Sequence, residues 1–144
     1  MKVLSAYPLV TTQNLQGTRD FYVKHFGLEV IFEASWVIML GRRAGGNICL
    51  GLMSSDHPTS PPAPDVFSGR GMIVTIQVDD AAKACAALRS QGAPITYDLH
   101  DEPWGQRRFM TLDPSGVLVD VVEQTEPAEG YWDQYMSPRE TAAA

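Results

Sequence analysis

The sequence predicts an α+β protein built from two consecutive modules, each with the element order βαβββ. Three observations predict it: the chain has 144 residues, 44% of them are hydrophobic and 19% charged, and one order of strand-like and helix-like patterns occurs twice. This length suits one compact domain, and the composition is that of a folded chain. Each module alone is too small to bury the apolar face of its sheet.

The first module is predicted over residues 5–53. Residues 7–12 resemble a short strand, and Asn14 is a typical N-cap for the helix that follows. Gly27 suits the left-handed conformation in which helices commonly end. Apolar side chains near one helical face mark the packed side of this helix: Leu15, Phe21, Tyr22 and Phe26. Further strands are predicted at residues 28–33, 36–41 and 47–52.

The second module, residues 71–124, repeats this order. Residues 72–78 alternate strictly between the two faces of a strand. Asp79 and Asp80 offer N-cap oxygens to a helix that Gly92 ends. The packed side of this helix is predicted to contain Ala81, Ala84, Cys85 and Leu88. Strands are predicted at residues 94–99, 107–112 and 118–123, and the last two are joined by a sequence suited to a type I turn, Asp113-Pro114-Ser115-Gly116.

Two segments of the single predicted domain, residues 1–144, lie outside the modules. Residues 54–70 contain four prolines, which exclude a helix or a central strand and predict a semi-rigid linker. The tail, residues 125–144, carries three aromatic side chains that we expect to pack on this domain or on a partner: Tyr131, Trp132 and Tyr135.

Charge and hydropathy exclude several classes of protein. The 11 Lys and Arg residues against 17 Asp and Glu give a net charge of −6, which argues against nucleic acid as a partner. No segment approaches the roughly 20 apolar residues of a membrane-spanning helix, and the N-terminus does not resemble a signal peptide. We therefore expect a cytoplasmic protein with no membrane partner. Cys49 and Cys85 both lie in apolar sequence and are predicted to be buried, reduced thiols.

Residues at the starts, ends and turns of these predicted elements are similar to those of a known family. They are Asn14-Leu15, Phe21-Tyr22, Phe26-Gly27-Leu28, Val78-Asp79-Asp80, Leu88, Gly92, Glu102-Pro103-Trp104-Gly105 and Asp113-Pro114-Ser115-Gly116. With them, residues 5–124 resemble the vicinal oxygen chelate superfamily, which contains glyoxalase I, extradiol dioxygenases, fosfomycin-resistance enzymes and bleomycin-resistance proteins. The resemblance implies a glyoxalase-like fold, with eight strands in a cup-shaped pair of sheets and the ligand in the concavity. It also implies a homodimer.

The same resemblance implies where a divalent metal would be held, at Tyr7, at Ile73, at Asp120 and at either Cys49 or Leu50. A divalent cation needs at least about three N or O donors, and Asp120 alone offers a carboxylate. The histidines do not complete the set: His25 is expected to face solvent from a helix, His57 lies in the linker, and His100 is expected to pair at the surface with Asp101 and Glu102. We therefore predict that the metal site is lost and that no cofactor is bound.

Without a metal, the lining of the cleft decides the function. A small-molecule site combines an apolar body with a few polar groups, and aromatic side chains stack on flat ligands and attract cations. On this basis the ligand-binding residues are predicted to be Tyr7, Trp36, Cys49, Phe67, Ile73, Thr75, Trp104, Phe109 and Asp120. A buried Asp120 requires a nearby donor, and Arg107 and Arg108 on the preceding strand are the expected candidates.

Three functions remain open from the sequence. The first is a binding protein of the bleomycin-resistance type, without metal, that holds a small and flat molecule such as an antibiotic or another natural product in a dimeric cleft. The net charge of −6 favours a cationic ligand. The alternative is a metal-dependent lyase, isomerase or dioxygenase of the same superfamily with an atypical ligand set. A third is a metal-free acid–base enzyme that uses Asp120 or Tyr7.

Overall fold

A computed structural model of the chain describes residues 1–58 and 66–136. The chain divides into two compact units: the first comprises Met1–Met72 with Leu112–Leu118, and the second comprises Ile73–Thr111 with Val119–Ala144. Each unit holds one α-helix and one four-stranded sheet, so the predicted α+β fold with two βαβββ modules is confirmed. Parts of the predicted linker (59–65) and tail (137–144) lie outside the described residues.

The first unit follows the predicted element order. Its elements are β1 (Leu9–Thr12), α1 (Leu15–Phe26), β2 (Glu29–Glu33), β3 (Val37–Arg42) and β4 (Asn47–Ser54). The sheet order is β1-β4-β3-β2, with β1 parallel to β4 and the other neighbours antiparallel. Helix α1 begins as predicted, because the side chain of Asn14 accepts a hydrogen bond from the Gly17 amide at 3.0 Å. It ends at Gly27, whose φ of 65° lies in the left-handed region that favours glycine.

A buried turn completes the core of the first unit. The Tyr22 hydroxyl donates to Oδ2 of Asp113 at 2.7 Å, and Oδ1 of Asp113 accepts from the amides of Ser115 (2.7 Å) and Val117 (3.0 Å). The Gly116 amide donates to the Asp113 carbonyl at 3.0 Å, which confirms the predicted turn. Burial raises the pKa of Asp113, although the donors around it oppose that rise. These contacts tie the turn to α1 within one unit.

The second unit repeats the order with different side chains. Its elements are β5 (Ile73–Gln77), α2 (Ala81–Ser90), β6 (Ile95–Glu102), β7 (Gln106–Leu112) and β8 (Leu118–Gln124). The sheet order is β5-β8-β7-β6. Asp80 caps α2 by accepting from the Lys83 amide at 2.9 Å, and Glu123 accepts from the Ala81 amide at 3.0 Å. The core side of the unit contains Ala81, Cys85, Leu88, Phe109, Val119 and Val121.

The described part of the tail packs within the second unit. Tyr131–Gln134 forms a short 3-10 helix, and the indole N–H of Trp132 donates to the Trp104 carbonyl at 3.0 Å. The Tyr131 and Trp104 rings lie 6.4 Å apart. Within the described residues, no helix is both long and apolar enough to cross a membrane.

Two side chains lie in surroundings that differ from the prediction. Cys49 is exposed, whereas Cys85 is buried as expected, and both are free thiols. Cys49 is exposed because it alternates with buried Leu50 along β4 and so points to the opposite face of the sheet. His25 does not face solvent but is half-buried, with its ring 4.9 Å from the Phe21 ring.

Candidate functional site

Strand pairing in the second unit collects charged and aromatic side chains on one face of the sheet. Across β6 and β7, His100 lies opposite Arg108 and Glu102 lies opposite Gln106, and directly paired residues share a face. Phe109, the next residue after Arg108, points to the other face and is fully buried. The polar face is therefore distinct from the apolar core of this unit.

Arg108 is the centre of this face. Its guanidinium carbon lies 5.1 Å from the centre of the Tyr97 ring and 5.3 Å from that of Trp104. Its Nε lies 3.7 Å from Oε1 of Glu102, and its Nη1 lies 3.4 Å from Oδ1 of Asp120. We call Tyr97, Glu102, Trp104, Arg108 and Asp120 the Arg108 cluster.

The ionic side chains of the Arg108 cluster are largely removed from solvent. The exposed fraction of the side chain is 18% for Arg108, 7% for Glu102 and 11% for Asp120. Arg108 is therefore largely buried, whereas arginines that are adjacent in sequence usually lie solvated at the end of a strand. Burial raises the pKa of Asp120, while the charge of Arg108 and hydrogen bonds from Arg108 and Thr75 oppose the rise. The expectation that an arginine of the preceding strand accompanies Asp120 is confirmed for Arg108.

Neutral side chains accompany the ionic groups of the cluster. The Tyr97 hydroxyl donates to Oε1 of Glu102 at 2.8 Å, and Thr75 opposes the rise in the pKa of Asp120. The Trp104 ring is fixed by its own N–H, which donates to Oε1 of Gln106 at 2.8 Å. The cluster is therefore a preorganised arrangement of two aromatic rings and two carboxylates around one planar cation. Its formal charge is negative, because two carboxylates face one guanidinium.

Of the five predicted site residues of the second unit, four have surroundings compatible with a ligand contact, and the fifth, Phe109, does not. Trp104 and Asp120 both contact Arg108, and Thr75 acts on the pKa of Asp120. Ile73 is exposed on β5 and alternates in phase with Thr75, so the two share a face. The prediction for Phe109 is wrong, because its fully buried side chain leaves no surface for a ligand.

The predicted site residues of the first unit lie at separate places. Tyr7 is exposed and precedes β1, Trp36 is half-buried just before β3, and Cys49 is exposed on β4. Phe67 lies against β1, where its amide donates to the Thr11 carbonyl at 3.1 Å. It lines a cavity of about 370 Å³ together with Leu9, Val10, Thr11, Val66, Ser68 and Met72. Only Phe67 among these four predicted residues lines that cavity.

Sequence reasoning missed Tyr97 and Glu102 as members of the Arg108 cluster. A regular strand would place residues 97 and 102 on opposite faces, but the register of β6 against β7 shifts twice between Ile95 and His100. Those shifts bring Tyr97 and Glu102 to the same face. The expected contact of His100 with Glu102 is present, with Nε2 at 3.7 Å from Oε1. The sequence carried no signal for the irregularity itself.

The residues at the implied metal-ligand positions do not fit a divalent cation. In the second unit Ile73 has no donor atom, and the Asp120 carboxylate already faces a guanidinium 3.4 Å away, whose charge repels a metal. In the first unit partial desolvation raises the pKa of the exposed Cys49 thiol, which disfavours the thiolate that binds metals. Within residues 1–58 and 66–136 no three His, Cys, Asp or Glu side chains are grouped so that they could hold a metal ion.

Comparisons with known proteins agree with this fold. The family model of the Glyoxalase/Bleomycin resistance protein/Dioxygenase superfamily matches residues 5–121. No curated protein matches the sequence. A solved protein from the mobile metagenome of V. Pseudocholerae is similar over 88% of this chain and 98% of its own, with 23% identity and a TM-score of 0.69.

Two further solved structures differ in what their names say. A lactoylglutathione lyase from Agrobacterium tumefaciens has 19% identity and a TM-score of 0.66, over 85% of this chain and 94% of its own. TnmS3, an antibiotic binding protein from Streptomyces sp. CB03234, has 20% identity and a TM-score of 0.63, over 86% of this chain and 98% of its own. At these identities the likeness concerns the fold, which serves both catalysis and binding.

Proposed function

The chain belongs to the Glyoxalase/Bleomycin resistance protein/Dioxygenase superfamily, and we propose that it is a member that binds a flat, cationic small molecule without a metal ion. The binding site is the Arg108 cluster and the sheet face around it. This ligand class follows from chemistry within the second unit, where aromatic rings and carboxylates are arranged together. TnmS3, whose name describes an antibiotic binding protein, is a precedent for binding by this fold.

One observation carries the proposal. The rings of Tyr97 and Trp104 and the carboxylates of Glu102 and Asp120 surround a planar cation at distances of 5.1 and 5.3 Å for the rings and 3.7 and 3.4 Å for the carboxylates. Rings of this kind attract cations through their π faces, and the surplus carboxylate adds a favourable field. A net charge of −6 for the whole chain further favours the approach of a cation.

The test is titration with a flat aromatic cation, benzamidinium, against its neutral analogue benzamide, followed by calorimetry. We expect benzamidinium to bind saturably and benzamide to bind at least about tenfold more weakly, a difference of about 1.4 kcal/mol. Substitution Trp104→Ala removes a ring of the cluster, so it is expected to weaken benzamidinium binding by about tenfold or more while the protein stays folded. Equal affinity of this variant and the wild type would contradict the proposal.

A matched control uses another tryptophan of the same unit. Trp132 is exposed and contacts the Trp104 carbonyl rather than Arg108. Trp132→Phe is therefore expected to change benzamidinium affinity less than about twofold, because the rings and carboxylates of the cluster are unchanged. If both tryptophan variants lose affinity equally, the loss reports general damage to the tail and not a contact with the ligand.

The metal-free part of the proposal is tested separately. The protein is stripped with a chelator, reloaded in turn with Mn, Fe, Ni and Zn, and analysed for bound metal. We expect much less than one tightly held ion per chain for each metal, because Ile73 lacks a donor and Asp120 faces Arg108. About one ion per chain would favour the metal-dependent lyase, isomerase or dioxygenase instead.

A second candidate function rests on Asp120. Burial raises the pKa of this carboxyl group, and a raised pKa makes a carboxyl group a better proton carrier near neutral pH. The group lies beside Thr75 and Arg108 on the sheet face where the ligand is proposed to bind. An acid–base enzyme predicts turnover that Asp120→Asn abolishes, whereas a binding protein predicts that this variant changes only affinity.

We also propose a homodimer as the functional form. The tail leaves large apolar side chains exposed in the described chain, namely Trp132, Tyr135 and Met136, and such surfaces often mark contacts with a partner. Light scattering coupled to size exclusion is expected to give twice the 15.8 kDa mass of the chain. A monomeric mass at micromolar concentration would contradict the dimer.

A further inference from the structure

We infer that Arg108 is an internal occupant of a planar-cation site, and that the ligand binds by displacing its guanidinium group. The inference rests on the proposed function and narrows the ligand to compounds with a planar, delocalised cation, such as a guanidinium or amidinium group. It assigns Arg108 the role of a competitor for the site and not of a ligand contact. These two roles predict opposite effects when the side chain is removed.

The guanidinium already occupies the place where such a ligand would make its most favourable contacts. It lies over the Tyr97 and Trp104 rings, 5.1 and 5.3 Å from their centres, within the range of about 6 Å for cation–π attraction. Both carboxylates of the Arg108 cluster flank it. A ligand cation can use the same four groups only where the guanidinium has left.

Arg108 is held loosely for a mostly buried arginine. Charge-assisted hydrogen bonds are typically about 2.7–2.9 Å long, but its distances to Asp120 and Glu102 are 3.4 and 3.7 Å. Its Nε is buried and makes no hydrogen bond within the described residues. The neighbouring Arg107, although more exposed, bonds Asp101 at 2.6 Å. Displacement of the Arg108 guanidinium from the cluster therefore breaks fewer short hydrogen bonds than its burial suggests.

The site does not need Arg108 to keep the positions of Glu102 and Trp104. Glu102 is held by the Tyr97 hydroxyl at 2.8 Å, and the Trp104 indole is fixed by Gln106 at 2.8 Å. Both contacts are made by neutral donors that remain when the guanidinium moves away. The empty site would then present two rings and two carboxylates with no cation between them.

The test compares wild type with Arg108→Ala, using methylguanidinium as the probe and methylurea as its neutral, planar control. Removal of the side chain is expected to raise methylguanidinium affinity at least about tenfold, measured by calorimetry, because the probe then fills the space of the lost guanidinium. Methylurea affinity is expected to stay unchanged. Reduced or equal methylguanidinium affinity in Arg108→Ala would overturn the inference.

Two further variants complete the design. Arg107→Ala removes the adjacent arginine, which lies outside the cluster and pairs with Asp101, and is expected to leave methylguanidinium affinity as in the wild type. Arg108→Gln keeps a hydrogen-bond donor for the carboxylates and serves if Arg108→Ala does not fold; the same gain is expected. An equal gain in Arg107→Ala would mean that any lost positive charge suffices, which contradicts a specific site.

Failure of this inference is distinguishable from failure of the proposed function. If wild type binds benzamidinium and Arg108→Ala gains nothing, the proposed function holds and the displacement of Arg108 is wrong. If Arg108→Ala binds methylguanidinium tightly while the wild type binds no cation, the planar-cation site exists. Arg108 then closes the site completely, and the proposed function of the wild type is wrong.

Discussion

The two units have the same element order but opposite chemistry on the sheet face that lies away from the core. In the first unit a row of apolar residues crosses all four strands, because Leu9 pairs with Gly51, Gly51 with Met39, and Met39 with Phe32. We call Leu9, Gly51, Met39 and Phe32 the Leu9 row. In the second unit the equivalent face carries the Arg108 cluster. The same element order therefore occurs in both units, but the charged cluster on this sheet face occurs only in the second unit.

The units also differ in where they bury their ionisable groups. The carboxylate of Asp113 in the first unit is enclosed by donors, all at 3.0 Å or less, as suits a group that fixes a turn. The carboxylate of Asp120 in the second unit has its arginine at 3.4 Å. A well-satisfied buried group stabilises a fold, whereas an incompletely paired one is typical of a functional site.

The largest expected loss of stability tests whether the buried Asp113 carboxylate stabilises the first unit. Asp113→Ala removes the acceptor of the Tyr22 hydroxyl and of the Ser115 and Val117 amides. Buried donors without acceptors each cost about 1–3 kcal/mol, so we expect the free energy of unfolding to fall by about 4 kcal/mol, measured with urea. Tyr22→Phe removes a single donor and should lower it by only about 1–2 kcal/mol. A small loss in Asp113→Ala would mean that the turn is held by other contacts.

An intermediate effect is expected from the loss of the cation in the second unit. Arg108→Met keeps most of the side-chain volume but leaves Asp120 and Glu102 without their positive partner. We expect the free energy of unfolding at pH 7 to fall by about 2 kcal/mol, less than for a fully buried pair because the groups are partly exposed. A loss as large as that of Asp113→Ala would show that Arg108 mainly stabilises the fold.

The loss of stability in Arg108→Met is expected to depend on pH in one direction. Burial already raises the pKa of Asp120, and removal of Arg108 raises it further. An acid with a raised pKa in the folded state contributes stability that is present below its unfolded pKa, about 3.9, and lost as the pH rises through the folded pKa. The deficit of Arg108→Met relative to wild type should therefore shrink on acidification from pH 7. In the background of Asp120→Asn the part of this pH dependence that comes from Asp120 should be lost, whereas Glu102 still lacks its positive partner.

The smallest effects compare the two helix caps. Asn14→Ala leaves the Gly17 amide without its acceptor and is expected to lower the free energy of unfolding by about 1 kcal/mol. Asp80→Ala should cost less, about 0.5 kcal/mol, because Glu123 still accepts from the Ala81 amide of the same helix. The pair is measured by urea unfolding at one pH. Equal losses would show that Glu123 does not act as a second cap.

The fold could be predicted because its signals are local. The caps Asn14 and Asp80, the left-handed Gly27 and the Asp113 turn are each specified by a few adjacent residues, and they fix the element order. Strand ends were less accurate: the first strand begins at Leu9 and not at residue 7, because exposed residues at a strand end carry no pattern that marks the limit.

The candidate site could be predicted only in part. Strand alternation and side-chain chemistry pointed to Thr75, Trp104 and Asp120, whose role in ligand binding stays a prediction, and Arg108 was expected as a donor for Asp120. Tyr97 and Glu102 were missed because register shifts in β6 change which residues share a face. Phe109 was misplaced because an aromatic side chain on a strand looks the same in sequence whether it points to a ligand or to the core.

The most direct test of a ligand site at the Arg108 cluster uses the three tryptophans of the chain as reporters. Trp36 belongs to the first unit, whereas Trp104 in the Arg108 cluster and Trp132 in the tail are hydrogen-bonded neighbours in the second unit. In a proton–nitrogen spectrum the Trp36 indole N–H signal therefore reports on the first unit and the other two report on the second unit. On titration with benzamidinium we expect the Trp104 signal to shift saturably and the Trp36 signal to stay in place. A saturable shift of Trp36 without one of Trp104 would contradict a ligand site at the Arg108 cluster.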